Sequence, residues 1–179
     1  MTVEFHRIEN CHVVHKPWGT ETWLMPGNDV YPFALKELIL RAGFVTSLQV
    51  HQFKSESIHL HIGHGALAYH PRPFDCERFL AGGYTAEEIA QIKSELIIEE
   101  LTPGAVFHTP PHTIHRMIAH DDLHYTEAST TQLDDVILLE DSANRGHGRI
   151  DAEHQQYTHS INPSRGLWST HGTIWSYDT

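Results

Sequence analysis

A chain of 179 residues with 23 acidic against 12 basic side chains carries a formal charge of −11, which disfavours nucleic acid and anionic membranes as partners. Its 40% hydrophobic and 20% charged residues describe an ordinary soluble globular protein, one that at this length buries about 70% of its unfolded surface. No apolar run approaches the ~20 residues a membrane span needs, the polar start MTVEFHRIEN is no signal peptide, and Cys11 and Cys76 stand in no ligand spacing, so a reduced, cytoplasmic protein is expected.

In chain order, Glu4–Ile8 and Cys11–Val14 read as short strand-like pieces, broken by Lys16-Pro17-Trp18-Gly19, a turn that packs its indole under the fold. Pro26-Gly27-Asn28 is a second turn, and Ala34–Leu40 has strand character ended by Arg41-Ala42-Gly43. Next comes Gly43–Gly63, in which Gln49, His51 and Glu56 fall at the spacing Q-x-H-x4-E. Residues i and i+2 of a strand share a face, so Gln49 and His51 aim two ligand atoms at one point. Glu56 returns on the next strand after a bend, and Ser57–Ile62 continues that strand. If Glu56 points inward, then Ile58, Leu60 and Ile62 do too, and His59 and His61 point out.

Residues 71–100 interrupt the strand rhythm. Thr85-Ala86-Glu87-Glu88 is a capping box, and Ile89, Ile92 and Leu96 follow as one apolar stripe, so an inserted helix is expected near residues 85–97. It either covers one end of the fold, shaping access to a site, or packs outside. Ile97–Leu101 reads as a strand leading to a Pro110-Pro111 turn and a strand from about His115. Arg116–Ala119, the turn His120–Asp122 and Leu123–Ala128 form a hairpin. Asp134–Asp141 is a late segment whose acidic residues are expected to be exposed or capping. From about Asp151 the composition turns polar, yet Trp168, Trp175 and Tyr177 remain, so this tail is expected to dock on the domain or a partner subunit.

Gln49, His51, Glu56 and His115 supply two oxygen donors and two imidazoles, a set suited to a divalent transition metal such as Zn, Fe(II), Mn, Ni or Co. Gly43, Gln49, His51, Glu56, Gly63, then Gly104, Pro110 and His115 follow the two-part signature of the cupin superfamily, departing at His112, where that signature usually has Gly, and at Ala119, where it often has Asn. Lys16-Pro17-Trp18-Gly19, Ser47-Leu48-Gln49-Val50-His51 and the run from Glu127 through Asp134-Asp135-Val136 to Gly148-Arg149 resemble the cupin domain of phosphomannose isomerases, over roughly residues 12–150.

The resemblance implies an all-β chain: a single cupin β-barrel of jelly-roll type, two antiparallel sheets, with a core at about 12–150 and residues 151–179 as its tail. It implies one bound divalent metal, Zn favoured, and a metal-dependent sugar isomerase interconverting aldose and ketose. Glu127 is then the proton shuttle, while Lys36 neutralises developing oxyanion charge and Arg149 completes the catalytic set. Leu138 stands where the family supplies an active-site Arg, which favours a neutral sugar over a sugar phosphate. The alternatives are a non-catalytic small-molecule-binding cupin and an Fe(II) dioxygenase, against which Gln49 in place of a third histidine argues. No nucleic acid or membrane partner is expected. Open sheet edges and the extra terminal segments point to a homodimer.

Overall fold

In the computed structural model, the residues described are 3 and 5–140, together with the backbone of four short strands between 148 and 174. The tail beyond Asp151 and the Arg149 side chain, both invoked from sequence, otherwise lie outside the described residues.

Two six-stranded antiparallel sheets make up the fold. The first is ordered β1 (His12–Lys16), β2 (Gly19–Met25), β3 (Ala34–Leu40), β10 (Leu123–Ser129), β5 (Glu56–Ile62) and β8 (Val106–Thr109). The second is ordered β12 (Gly148–Arg149), β11 (Ile137–Glu140), β4 (Leu48–Val50), β9 (His115–Ala119), β6 (Gly65–Tyr69) and β7 (Ile97–Leu101). From β3 to β6 and again from β7 to β11 successive strands alternate between the sheets, the jelly-roll arrangement expected; β9 and β10, expected to form a hairpin, therefore pair in different sheets instead. A separate three-stranded sheet joins β13 (Ile161–Asn162), β14 (Leu167–Thr170) and β15 (Thr173–Ile174). Of Glu4–Ile8, expected to be strand-like, the described residues 5–8 form no strand; a 3-10 turn covers Ile8–Asn10 instead.

Alternation sorts the side chains. On β3 and β10, Lys36, Leu38, Leu40, Leu123, Tyr125 and Glu127 are buried, while Glu37 and Ile39 are exposed. A core of Trp18, Leu38, Leu40, Ile58, Leu60, Leu67, Met117 and Leu123 fills the space between the sheets. Trp18 packs there as its turn implied. At its start, Gly19 runs so close to β3 that a Cβ would meet the Ile39 carbonyl oxygen at 1.8 Å, so no larger residue fits.

The second sheet is covered outside as well. The insertion holds two helices rather than one, α1 (Cys76–Leu80), capped by Asp75, and α2 (Ala86–Ser94), capped by the Thr85–Glu88 box. Ile89, Ile92 and Leu96 pack with Phe79 and Tyr84 against Leu48, Val50, Ile114, Ile137 and Leu139. The helices therefore sit on the outer face of the second sheet and not over an end of the barrel. Strands β4 and β11 are consequently covered on both faces, although the cavity-facing Gln49 of β4 is only half-buried.

The inward parity expected for β5 holds through Leu60 and fails at Ile62, which is 56% exposed. A register shift against β10 between His124 and Tyr125 inserts a bulge there, turning Ile62 out beside His61. His59 and His61 are exposed, as expected.

Candidate metal centre

Between the sheets lies a cavity of about 90 Å³, several times what one water requires, lined by side chains from both. Trp18, Leu38, Ile58, Met117 and Tyr125 belong both to the core and to the cavity wall, so the packed core is its floor. Gln49, His51, Glu56 and His115 all line it.

Strand pairing brings these four together. Gln49 and His115 are register partners across β4 and β9, and their Nε2 atoms stand 3.4 Å apart. Turning the Gln49 amide by 180° presents Oε1 in the same place. His51 follows β4 directly, and Glu56 opens β5. His115 Nε2 is 2.8 Å from Glu56 Oε1, and His51 Nε2 is 3.6 Å from Glu56 Oε2. One ligand atom from each of His51, Glu56 and His115 lies within 4.8 Å of the others, and all three residues are buried.

Both rings are fixed from behind. His51 Nδ1 donates to the Asp135 carbonyl and His115 Nδ1 to the Thr113 carbonyl, the latter at 2.9 Å. Backbone carbonyls accept only, so each Nδ1 carries its proton and each Nε2 is the atom offered to the centre, the arrangement metal-binding histidines use. Burial, reinforced by the Lys54 ammonium, lowers the His51 pKa to about 4, so this ring is neutral. Its buried Nε2 has no hydrogen-bond partner among the described residues. Burial alone also disfavours charge on His115, but Glu56 overrides it and raises that pKa. Glu56, for which burial opposes ionisation, is held well below the usual carboxylate range by Lys54 and His115. An orphaned imidazole nitrogen, a carboxylate and a second imidazole braced at Nδ1 fit a divalent cation.

Lys54 was not recognised from sequence. It is buried, and its Nζ donates to Glu56 Oε2 at 2.7 Å and to Glu127 Oε1 at 2.8 Å. The only local signal is that Lys54 and Glu56 lie two apart in extended chain and so share a face. Glu127 comes to the cavity as expected; its Oε2 makes no hydrogen bond to the described residues. Lys36 is buried rather than solvent-facing, opposite Glu127 in register, 3.8 Å from its Oε1 and 3.6 Å from Glu21 Oε2, with its Nζ over the Trp23 ring at 4.3 Å. Lys16 reaches Glu21 at 3.9 Å. An alternating ladder Lys16, Glu21, Lys36, Glu127, Lys54, Glu56 thus runs along the cavity wall, its formal charges cancelling. The backbone of Arg149 pairs with Ile137 in β12, and Leu138 is buried in the cavity wall.

Asp135 corrects a second expectation. Expected to be exposed or capping, it is 4% exposed, and its Oδ2 accepts from the Phe53 amide and, at 2.9 Å, the Lys54 amide. His112, at the position where Gly is usual, adopts φ 65°, a left-handed conformation that His tolerates better than most residues. Its amide donates to the His51 carbonyl at 2.7 Å.

No protein-family profile and no curated protein sequence matches the chain. Among solved structures, it superposes on the capsular polysaccharide assembling protein CapF from Staphylococcus aureus with a TM-score of 0.54 at 14% identity, covering 73% of this chain and 32% of CapF. With oxalate decarboxylase from Lactobacillus farciminis, in a formate complex, the TM-score is 0.54 at 15% identity, over 78% of this chain and 37% of that one. With KdgF from Halomonas sp. it is 0.52 at 15% identity, over 75% of this chain and 98% of KdgF. The chain therefore spans about a third of the first two proteins and nearly all of the third. Among the described residues, no helix is long and apolar enough to cross a membrane. These neighbours are cupin-fold proteins, and two facing antiparallel sheets around a buried His–Glu–His cluster give this chain the same cupin fold.

Proposed function

We propose that the protein is a metal-dependent sugar isomerase, interconverting an aldose and a ketose at the cavity between the sheets. The observation that carries this reading is the junction of two chemistries within one hydrogen-bond chain. The His51–Glu56–His115 cluster is joined through Lys54 to Glu127, whose Oε2 makes no hydrogen bond among the described residues. Gln49, His51, Glu56 and His115 would hold a divalent ion, which would supply Lewis acidity toward the carbonyl and its neighbouring hydroxyl. Glu127 then takes the proton from C2 and returns it to C1. Lys54, donating to Glu127, holds that carboxylate in place, and its ammonium and that of Lys36 face the negative charge developing on oxygen. The apolar wall of Leu38, Met117, Val136 and Leu138 excludes water from the proton transfer.

A neutral sugar suits the wall better than a sugar phosphate. Lys16, Lys36 and Lys54 each have a carboxylate within 3.9 Å, and Leu138 offers no donor. The same internal pairing supports a second reading, a non-catalytic cupin that binds a small polyhydroxy compound.

Glu127→Gln decides between them. It is nearly isosteric and removes no ligand, so metal content and folding should persist while turnover of a responsive free sugar falls by about 10²–10⁴-fold. Deuterium incorporation from solvent at C2 should fall with it. Unchanged turnover, with activity still lost on chelation, would remove Glu127 from its role. A panel of free and phosphorylated sugars that stabilise the protein but undergo no conversion would establish the binding reading.

A further inference from the structure

The bend between β4 and β5, residues 51–55, carries His51 at one end and Lys54 near the other, and has no secondary structure of its own to fix it. Its fixed points are few. Ser55 exchanges bonds with Thr130, its amide to Thr130 Oγ1 at 3.1 Å and its carbonyl from the Thr130 amide at 3.0 Å. The His51 carbonyl accepts from His112. The His51 ring and two further amides of the bend converge on Asp135, eighty-odd residues away. Its carbonyl receives His51 Nδ1–H, and one oxygen of its buried carboxylate receives two successive amides, Phe53 and Lys54.

We infer that Asp135 is a positioning residue that sets the metal centre and the Lys54 ammonium together, through both its backbone and its side chain. Neutral imidazole can place its proton on either nitrogen. The Asp135 carbonyl selects Nδ1–H and so leaves the Nε2 lone pair of His51 toward Glu56. The carboxylate pins the two amides that determine where the Lys54 side chain departs, which places Nζ between Glu56 and Glu127. A buried carboxylate without such donors would be costly, and two amides aimed at one oxygen are the compensation. Cutting the carboxylate away frees the bend, and His51 then loses its alignment with the carbonyl even though that carbonyl remains. This role rests on the metal reading for its consequence, but its geometry does not.

Two variants of the full chain, Asp135→Asn and Asp135→Ala, test it with Zn²⁺ as the probe. Outer partners of metal-bound histidines typically contribute 10–100-fold to affinity. Zn²⁺ affinity should drop by about that factor in Asp135→Ala and by less in Asp135→Asn, which keeps one acceptor. Thr130→Val, which removes the side-chain hold on the other end of the bend, should leave it within about threefold. In the metal-free protein, long-range proton–nitrogen NMR should find His51 protonated at Nδ1 in the wild type and at Nε2, or exchanging between the two, in Asp135→Ala. Amide exchange at Phe53 and Lys54 should quicken while β3 and β10 stay protected. A folded Asp135→Ala that keeps the Nδ1–H tautomer and slow exchange at both amides would overturn the assignment whatever the metal result. If the wild type binds no Zn²⁺, the metal reading fails, and the tautomer and exchange readouts still decide the role of Asp135.

Discussion

Seventeen histidines would each be a candidate ligand if composition were the only guide. Strand parity separates them. His51 and His115 are buried against Glu56, whereas His59 and His61, equally tempting as a His-x-His pair, stand on the outer face of β5, their rings 4.4 Å apart and His61 Nε2 2.6 Å from Thr126 Oγ1. His51→Ala and His115→Ala should each cost most of the bound metal, measured by elemental analysis of the purified protein. His59→Ala and His61→Ala should leave the metal content at the wild-type ratio. Normal metal content in both of the first pair would remove this cluster from consideration. Each of those two substitutions also leaves a buried group behind. Without His115, Glu56 keeps only Lys54 as a close donor among the described residues, so some loss of stability should accompany the loss of metal.

At the scale of elements, β4 and β11 explain why the second sheet carries the histidines. Each is covered on both faces, with Leu48, Val50, Ile137 and Leu139 under the helices and the half-buried Gln49 and buried Leu138 in the cavity wall. The helices thus act on the site only by pressing its strands into place. In α2, Glu88 Oε2 accepts from the Thr85 amide at 2.8 Å and Thr85 Oγ1 from the Glu88 amide at 3.1 Å. Thr85→Ala removes the second of these and should lower unfolding free energy by about 1 kcal/mol in a urea titration. Metal affinity should stay unchanged, since no residue of α1 or α2 lines the cavity. A loss of affinity comparable to that of a ligand variant would mean that the helices shape the site directly.

At the scale of the molecule, the sheets leave β1 and β8 at the edges of the first sheet and β7 at one edge of the second. Ile97, Ile98 and Val106 on these strands are 39%, 52% and 59% exposed. Long edges bearing apolar side chains invite strand pairing unless covered. We therefore expect a homodimer, more stable as added salt screens the repulsion between two copies of charge −11. Light scattering that returns a monomer at micromolar concentration in moderate salt would rule this out.

What the amino-acid sequence determined by itself was whatever repeats locally. The spacing of Gln49, His51 and Glu56, the alternation along β3 and β10 and the capping box at Thr85 are all imposed by backbone geometry over a few residues. They were legible without the fold, as was the jelly-roll architecture through the motif that Gly43–Gly63 and Gly104–His115 share with a known superfamily. Lys54 and Asp135 were not, because the contacts that give them meaning span 73 to 84 residues. Nothing local distinguishes a buried, paired lysine from a solvated one, or an acid receiving two distant amides from one facing water. The bulge that turned Ile62 outward, and the seat of the helices on the outer face rather than over the barrel's end, were likewise settled only when non-adjacent strands met. Local periodicity says which way a side chain points; tertiary structure alone decides what it meets.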